Sequence, residues 1–159
     1  MEADVTVWTD ANLRDGLAFS YSNNGFVYQQ KLHDDSTTVV DIFFLELVAI
    51  LSAVHHLASL PTPPHHILVF TDSLDSVAVF NSLAASQTLY NGVLLAVARV
   101  ILESSIDLHV QHVIGKDNIH VDLLSHLLFD EYQRLFPQDH VHLFAPPREL
   151  LPVRWQESF

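Results

Sequence analysis

Four carboxylates stand where an acid needs a reason to be. Asp10 closes the alternating run Val5–Asp10, Asp72 follows the apolar run Ile67–Phe70, and Asp122 lies just past a third run at His112–Ile114. An acid at a strand end projects from the rim of a sheet, where ligands are usually held. Glu46 is the only charge in the apolar stretch Ile42–Leu51. A lone acid on an apolar helix face is costly unless something positive compensates it. No Lys or Arg lies between Lys31 and Arg99, and Lys116 is the one basic residue in these four segments. Such a set implies a bound divalent cation, and magnesium prefers oxygen ligands in octahedral geometry.

Each acid also has a plainer reading. Asp10 and Asp72 could be strand-end turn acids that cap the next element. Glu46 could be a salt-bridged core acid, although the sequence offers no local partner. Asp122 could be a first-turn acid that complements a helix dipole. Asp117 rivals Asp122 as a ligand but reads better as part of a cap with Asn118. Asp75 reads as a supporting or surface acid. The 11 histidines include the adjacent pairs His55-His56 and His65-His66. Sequence neighbours point apart on a helix or strand, so these pairs read as packed or surface residues rather than zinc ligands.

The elements that must position these acids are legible from periodicity. A strand is expected at about 4–10. Alternation over Gly16–Tyr21 and again over Phe26–Lys31, with Ser22-Asn23-Asn24-Gly25 as a turn between them, completes a three-stranded antiparallel meander. A polar loop at His33–Thr38 offers Thr37 or Thr38 as a helix cap. Residues 41–59 are apolar nearly all round, as in a helix buried on most faces, and Pro61-Thr62-Pro63-Pro64 ends it. A buried strand at Ile67–Phe70 follows, parallel to the first. Helices come next at about 73–85 and 90–104, then a strand at 107–113 and a helix from Asn118 to Phe129. This βββαβααβα order predicts an α/β fold with a mixed five-stranded sheet, three strands antiparallel and then parallel ones, flanked by helices. The domain is expected over residues 1–130, with 131–159 as a C-terminal tail packing on it.

Composition sets further bounds. A chain of 159 residues at 49% hydrophobic content is globular and one domain by length. The absence of cysteine excludes disulfides, zinc–thiolate sites and thiol catalysis. No signal peptide or membrane span is expected, so an intracellular location, cytoplasm or nucleus, is. Seven basic residues against 19 acidic ones give a formal net charge of −12. Nucleic-acid binders usually carry a basic patch, so a chain of this charge would hold nucleic acid weakly by itself.

The residues around the acids carry a resemblance. Thr9-Asp10-Ala11, then Phe43-Phe44-Leu45-Glu46, then Thr71-Asp72-Ser73, then His112-Val113 through Gly115-Lys116-Asp117-Asn118 to Asp122 and Leu124-Ser125 resembles the ribonuclease H domain of retrotransposon reverse transcriptases. The flavour is fungal, of the tyrosine-recombinase type or gypsy-like, and Phe144-Ala145-Pro146-Pro147-Arg148 is similar to that group too. The resemblance spans about Val5 to Arg148. Each motif is weak alone; the four in order, with gaps of 36, 26 and 50 residues, are specific.

The resemblance implies a ribonuclease H-like fold and a metal-dependent endoribonuclease that cuts the RNA strand of an RNA–DNA hybrid. It implies two Mg²⁺ ions, with Mn²⁺ as substitute, held by Asp10, Glu46, Asp72 and Asp122. Asp10 would bridge both ions, Glu46 and Asp72 would hold the leaving-group side, and Asp122 the nucleophile side. Asn12, Arg14 and Lys116 are the expected substrate contacts, and His112 or His120 the candidates for an assisting histidine. Many cellular relatives insert a basic helix for the hybrid; the short, uncharged segment Ala84–Tyr90 replaces it here. With the acidic charge, that points to an adjoining reverse transcriptase domain as partner. The alternative is a degenerate or domesticated domain that scaffolds other proteins. A transposase or integrase on the same fold ranks lower, since Asp107 opens a strand where that class needs a Glu on a late helix.

Overall fold

The computed structural model describes residues 3–30, 41–82, 88–153 and 156. The loop His33–Thr38 with its cap candidates, residues 84–87 of the segment between the middle helices, and Trp155 of the tail lie outside the described residues.

The expected meander is present as β1 (Val5–Ala11), β2 (Gly16–Tyr21) and β3 (Asn24–Gln29). Ser22 and Asn23 sit at the β2–β3 turn with φ of 48° and 62°, as a two-residue hairpin with the native twist requires. Gly25 therefore lies inside β3 rather than in the turn. A Cβ on Gly25 would come within 2.7 Å of a Leu124 methyl, so the strand approaches a helix there more closely than any side chain permits.

Helix α1 (Ile42–Ala58) is buried almost continuously from Phe44 to Val54. Its cap is Asp41, whose carboxylate accepts from the Phe44 backbone N–H at 2.8 Å and also from the Tyr90 hydroxyl. Strand β4 (His66–Thr71) runs parallel to β1, and β5 (Asp107–His112) runs parallel to β4. Between them lie α2 (Leu74–Ser82) and α3 (Thr88–Glu103).

Two expectations need correction. The single helix at 118–129 is two: α4 (Ile119–Ser125) and α5 (Phe129–Leu135). Leu127 between them takes φ 59°, which stops the first helix without the glycine that would have announced it. The sheet also has six strands, not five. β6 (His140–Leu143) pairs parallel to β3 and gives the order β5-β4-β1-β2-β3-β6. Four residues alternating histidine with valine and leucine are too short a run to stand out against a polar segment.

The sheet is covered on both faces. Val7, Leu17, Phe19 and Val69 pack against α1 and α3 on one side. Ala18 packs with Val121, Leu124 and Tyr132 on the other. Side chains alternate along β1, so Thr9 faces the larger core while Asp10 faces the side that carries α4. Among the described residues, no helix is long and apolar enough to cross a membrane.

Candidate metal centre

Three elements deliver the acids to one point. Asp10 is the penultimate residue of β1, and Asp72 follows the last residue of β4. These strands are parallel neighbours in register Val7 to Val69 and Trp8 to Phe70, so both acids emerge at the same rim. Helix α1 passes over that rim and brings Glu46 down from one turn inside its N-terminus. Carboxylate oxygens of Asp10, Glu46 and Asp72 lie within 4.8 Å of one another. Asp10 is 4% exposed and Glu46 6%, and Asp72 is half-buried. Asp72 does not cap α2: the Ser73 hydroxyl accepts from the Ser76 N–H at 3.2 Å and holds that role.

Burial and repulsion from neighbouring acids raise all three carboxyls. Burial, with the neighbouring Asp10 and Asp72 charges, pushes the Glu46 carboxyl up to about 9. Burial and Asp72 push Asp10 up to about 7, against a lowering hydrogen bond from Ser125. Asp72 is raised too, by burial and then by Asp122, while His112 nearby favours its charged form. Among the described residues, no ion pair involves Asp10, Glu46 or Asp72. The Glu46 Oε2 is buried without a hydrogen-bond partner. A donor set of carboxylate oxygens alone, one of them orphaned, fits a hard divalent cation such as Mg²⁺.

Asp122 is placed differently. It lies in the first turn of α4, exposed, close enough to raise the Asp10 and Asp72 carboxyls but outside the three-acid group. Its Oδ1 stands 3.5 Å from Nε2 of His126. Asp117 is exposed in a 3₁₀ turn at Gly115–Asp117. Of the expected substrate contacts, Asn12 anchors the β1–β2 turn: its Oδ1 accepts from the Arg14 and Asp15 N–H groups at 2.9 and 3.0 Å. Arg14 is exposed on that turn, and Lys116 is exposed on the 3₁₀ turn. His120 is half-buried against Phe136 and Trp8.

Three further residues shape the site. The buried Ser125 hydroxyl donates to Asp10 Oδ2 at 2.7 Å, tying α4 to β1. Buried Asn118 donates from Nδ2 to the Thr9 carbonyl at 3.1 Å, fixing the start of α4 one residue from Asp10. His126 bridges Asn12 and Asp122. The signal for Ser125 was its place one helical turn after Asp122, on the same face.

The chain matches no protein-family profile and no curated protein sequence. It is similar in structure to LC11-RNase H1 from a compost metagenome, solved in complex with an RNA/DNA hybrid, at 14% identity, 76% of this chain, 93% of that one and a TM-score of 0.59. It is similar to RNase H1 of Halobacterium salinarum at 15% identity, 80% of this chain, 98% of that one and a TM-score of 0.56. For an N-terminal RNase H domain from Mycobacterium tuberculosis the values are 12%, 83%, 99% and 0.53. These likenesses establish an α/β ribonuclease H-like fold.

Proposed function

We propose that this chain is a metal-dependent endoribonuclease that hydrolyses the RNA strand of RNA–DNA hybrids, and that it belongs with a retroelement reverse transcriptase. The observation that carries the reading is the convergence of Asp10, Glu46 and Asp72, with no ion pair to them among the described residues and with Glu46 Oε2 orphaned. A structural cluster gains nothing from three repelling acids. A nuclease needs them.

Asp10, Glu46 and Asp72 would hold Mg²⁺, and Asp122 would complete the set for a second ion. Bound there, the ions supply a water of lowered pKa and charge stabilisation at the scissile phosphate. The chain's own residues prepare the rest. Ser125 donates to Asp10 and favours its charged, ligating form. Asn118 keeps the α4 start against β1. The Asn12 turn and exposed Arg14 and Lys116 offer contacts for the sugar–phosphate backbone. Water adds at phosphorus as the bond to the 3′ oxygen breaks, leaving a 3′-hydroxyl and a 5′-phosphate.

Net charge −12 supports a domain held on its hybrid by an attached polymerase domain. It also favours a second reading, a scaffold that has lost activity. Incubation with a hybrid labelled in its RNA strand, with Mg²⁺ or Mn²⁺ and a chelator control, separates them. Metal-dependent cutting of the RNA strand alone is expected. A folded chain that leaves the hybrid intact even when fused to a hybrid-binding domain would select the scaffold.

A further inference from the structure

The Asn12 amide has its orientation fixed by the backbone. Its Oδ1 accepts from two N–H groups, of Arg14 and Asp15, so its Nδ2 is the group that faces His126, 2.9 Å from Nδ1 and the longer 3.4 Å from Nε2. An amide NH₂ only donates, so the nearer ring nitrogen, Nδ1, is the one placed to accept. The ring proton of the neutral imidazole is then on Nε2, the nitrogen 3.5 Å from Asp122 Oδ1. Asp15 Oδ2, at 3.8 Å from Nδ1, is beyond hydrogen-bond reach. The β1–β2 turn thus favours this tautomer of His126, which faces its N–H toward the fourth acid. Both side chains are exposed, Asp122 in the first turn of α4 and His126 just past its last residue.

We infer that His126 is a positioning residue, set by Asn12, that orients Asp122 for the reaction. This rests on the hybrid-nuclease reading of the site. It couples the turn expected to meet the substrate with the one acid that stands apart from the metal-ready group. Partners that orient metal-binding side chains typically change metal affinity or activity by about 10–100-fold when removed.

Two measurements test it and fail separately from the nuclease reading. In the metal-free protein in alkaline buffer, the ¹⁵N resonances of the His126 ring should report an accepting Nδ1 and a protonated Nε2. Asn12→Ala should shift the Nδ1 signal as its donor is lost, and Asp122→Asn should shift the Nε2 signal. A ring protonated on Nδ1, or unmoved by either change, overturns the inference whether or not the protein cuts RNA. In cleavage assays, His126→Ala should lower kcat about tenfold with KM little changed. His126→Gln should restore much of it, because its carbonyl can accept from Asn12 while its amide donates to Asp122. Equal kcat in wild type and His126→Ala, or equal losses in the Ala and Gln variants at unchanged melting temperature, also overturns it. An inactive wild type with the expected ring signals would sink the nuclease reading and leave the Asn12–His126–Asp122 coupling standing.

Discussion

Replacing Glu46 with glutamine should stabilise the metal-free protein, and the gain should grow with pH. The folded chain holds the Glu46 proton up to about 9, from an ordinary value of 4.5, chiefly because the carboxyl is buried and then because Asp10 and Asp72 are near. The unfolded chain releases it near the ordinary value. Between those limits the folded state binds the extra proton, so stability falls as pH rises, by about 1.4 kcal/mol per pH unit. At neutral pH the accumulated cost is about 3 kcal/mol, and glutamine avoids it at nearly constant shape. For a chain of this size that corresponds to a melting temperature about 6–12 °C higher. Thermal melts in chelator at about pH 5 and about pH 8 test this, with wild type and variant together near the lower value and far apart at the higher. Adding Mg²⁺ should raise the wild type at the higher pH, where the proton is most easily displaced, and should raise the variant less. Coincident melts at both pH values, or a variant that melts lower in alkaline chelator, would refute the claim that Glu46 is an uncompensated buried acid.

Other expectations follow from the same geometry. Ser125→Ala removes the hydroxyl that lowers Asp10, so the acidic limb of the pH–rate profile should move about one pH unit higher, the scale of one hydrogen bond to a charge. An unmoved limb would mean that the bond does not reach the ligating form. Gly25→Ala places a Cβ 2.7 Å from Leu124 and 3.1 Å from the Tyr132 hydroxyl. It should cost about 1–3 kcal/mol in denaturant melts, the range for overpacking, and should lower activity by displacing α4; wild-type stability would contradict the close approach. Binding of the isolated domain to hybrid should depend only shallowly on salt. A slope equivalent to about six or more phosphate contacts would reveal a basic surface at odds with the sequence.

The site was more legible in the sequence than the rim of the fold. Asp10, Glu46 and Asp72 stood out because each broke an apolar pattern with no basic residue to explain it, and the parallel register of β1 and β4 with α1 packed over them brings the three together. The three-stranded meander and the parallel β4 and β5 were readable from alternation and turn residues. β6 was not, since its pairing to β3 depends on tertiary contact rather than on a strong strand pattern. The break at Leu127 was silent because a leucine, not a glycine, takes the left-handed conformation there. Asp122 was legible as an acid of the site's motif, but not its attachment to His126, which needs the turn at Asn12 to fold back onto α4. Asp41 caps α1 and also meets Tyr90 on α3, a pairing of residues 49 apart that no local pattern announces.

The most direct test of the central claim is cleavage of a hybrid labelled in its RNA strand by wild type, Asp10→Asn, Glu46→Gln and Asp72→Asn, each shown to be folded, in Mg²⁺. The account requires wild type to cut the RNA strand, a chelator to stop it, and each variant to lose activity by orders of magnitude while melting at or above the wild type without metal. Cutting by any of the three variants at the wild-type rate would contradict it.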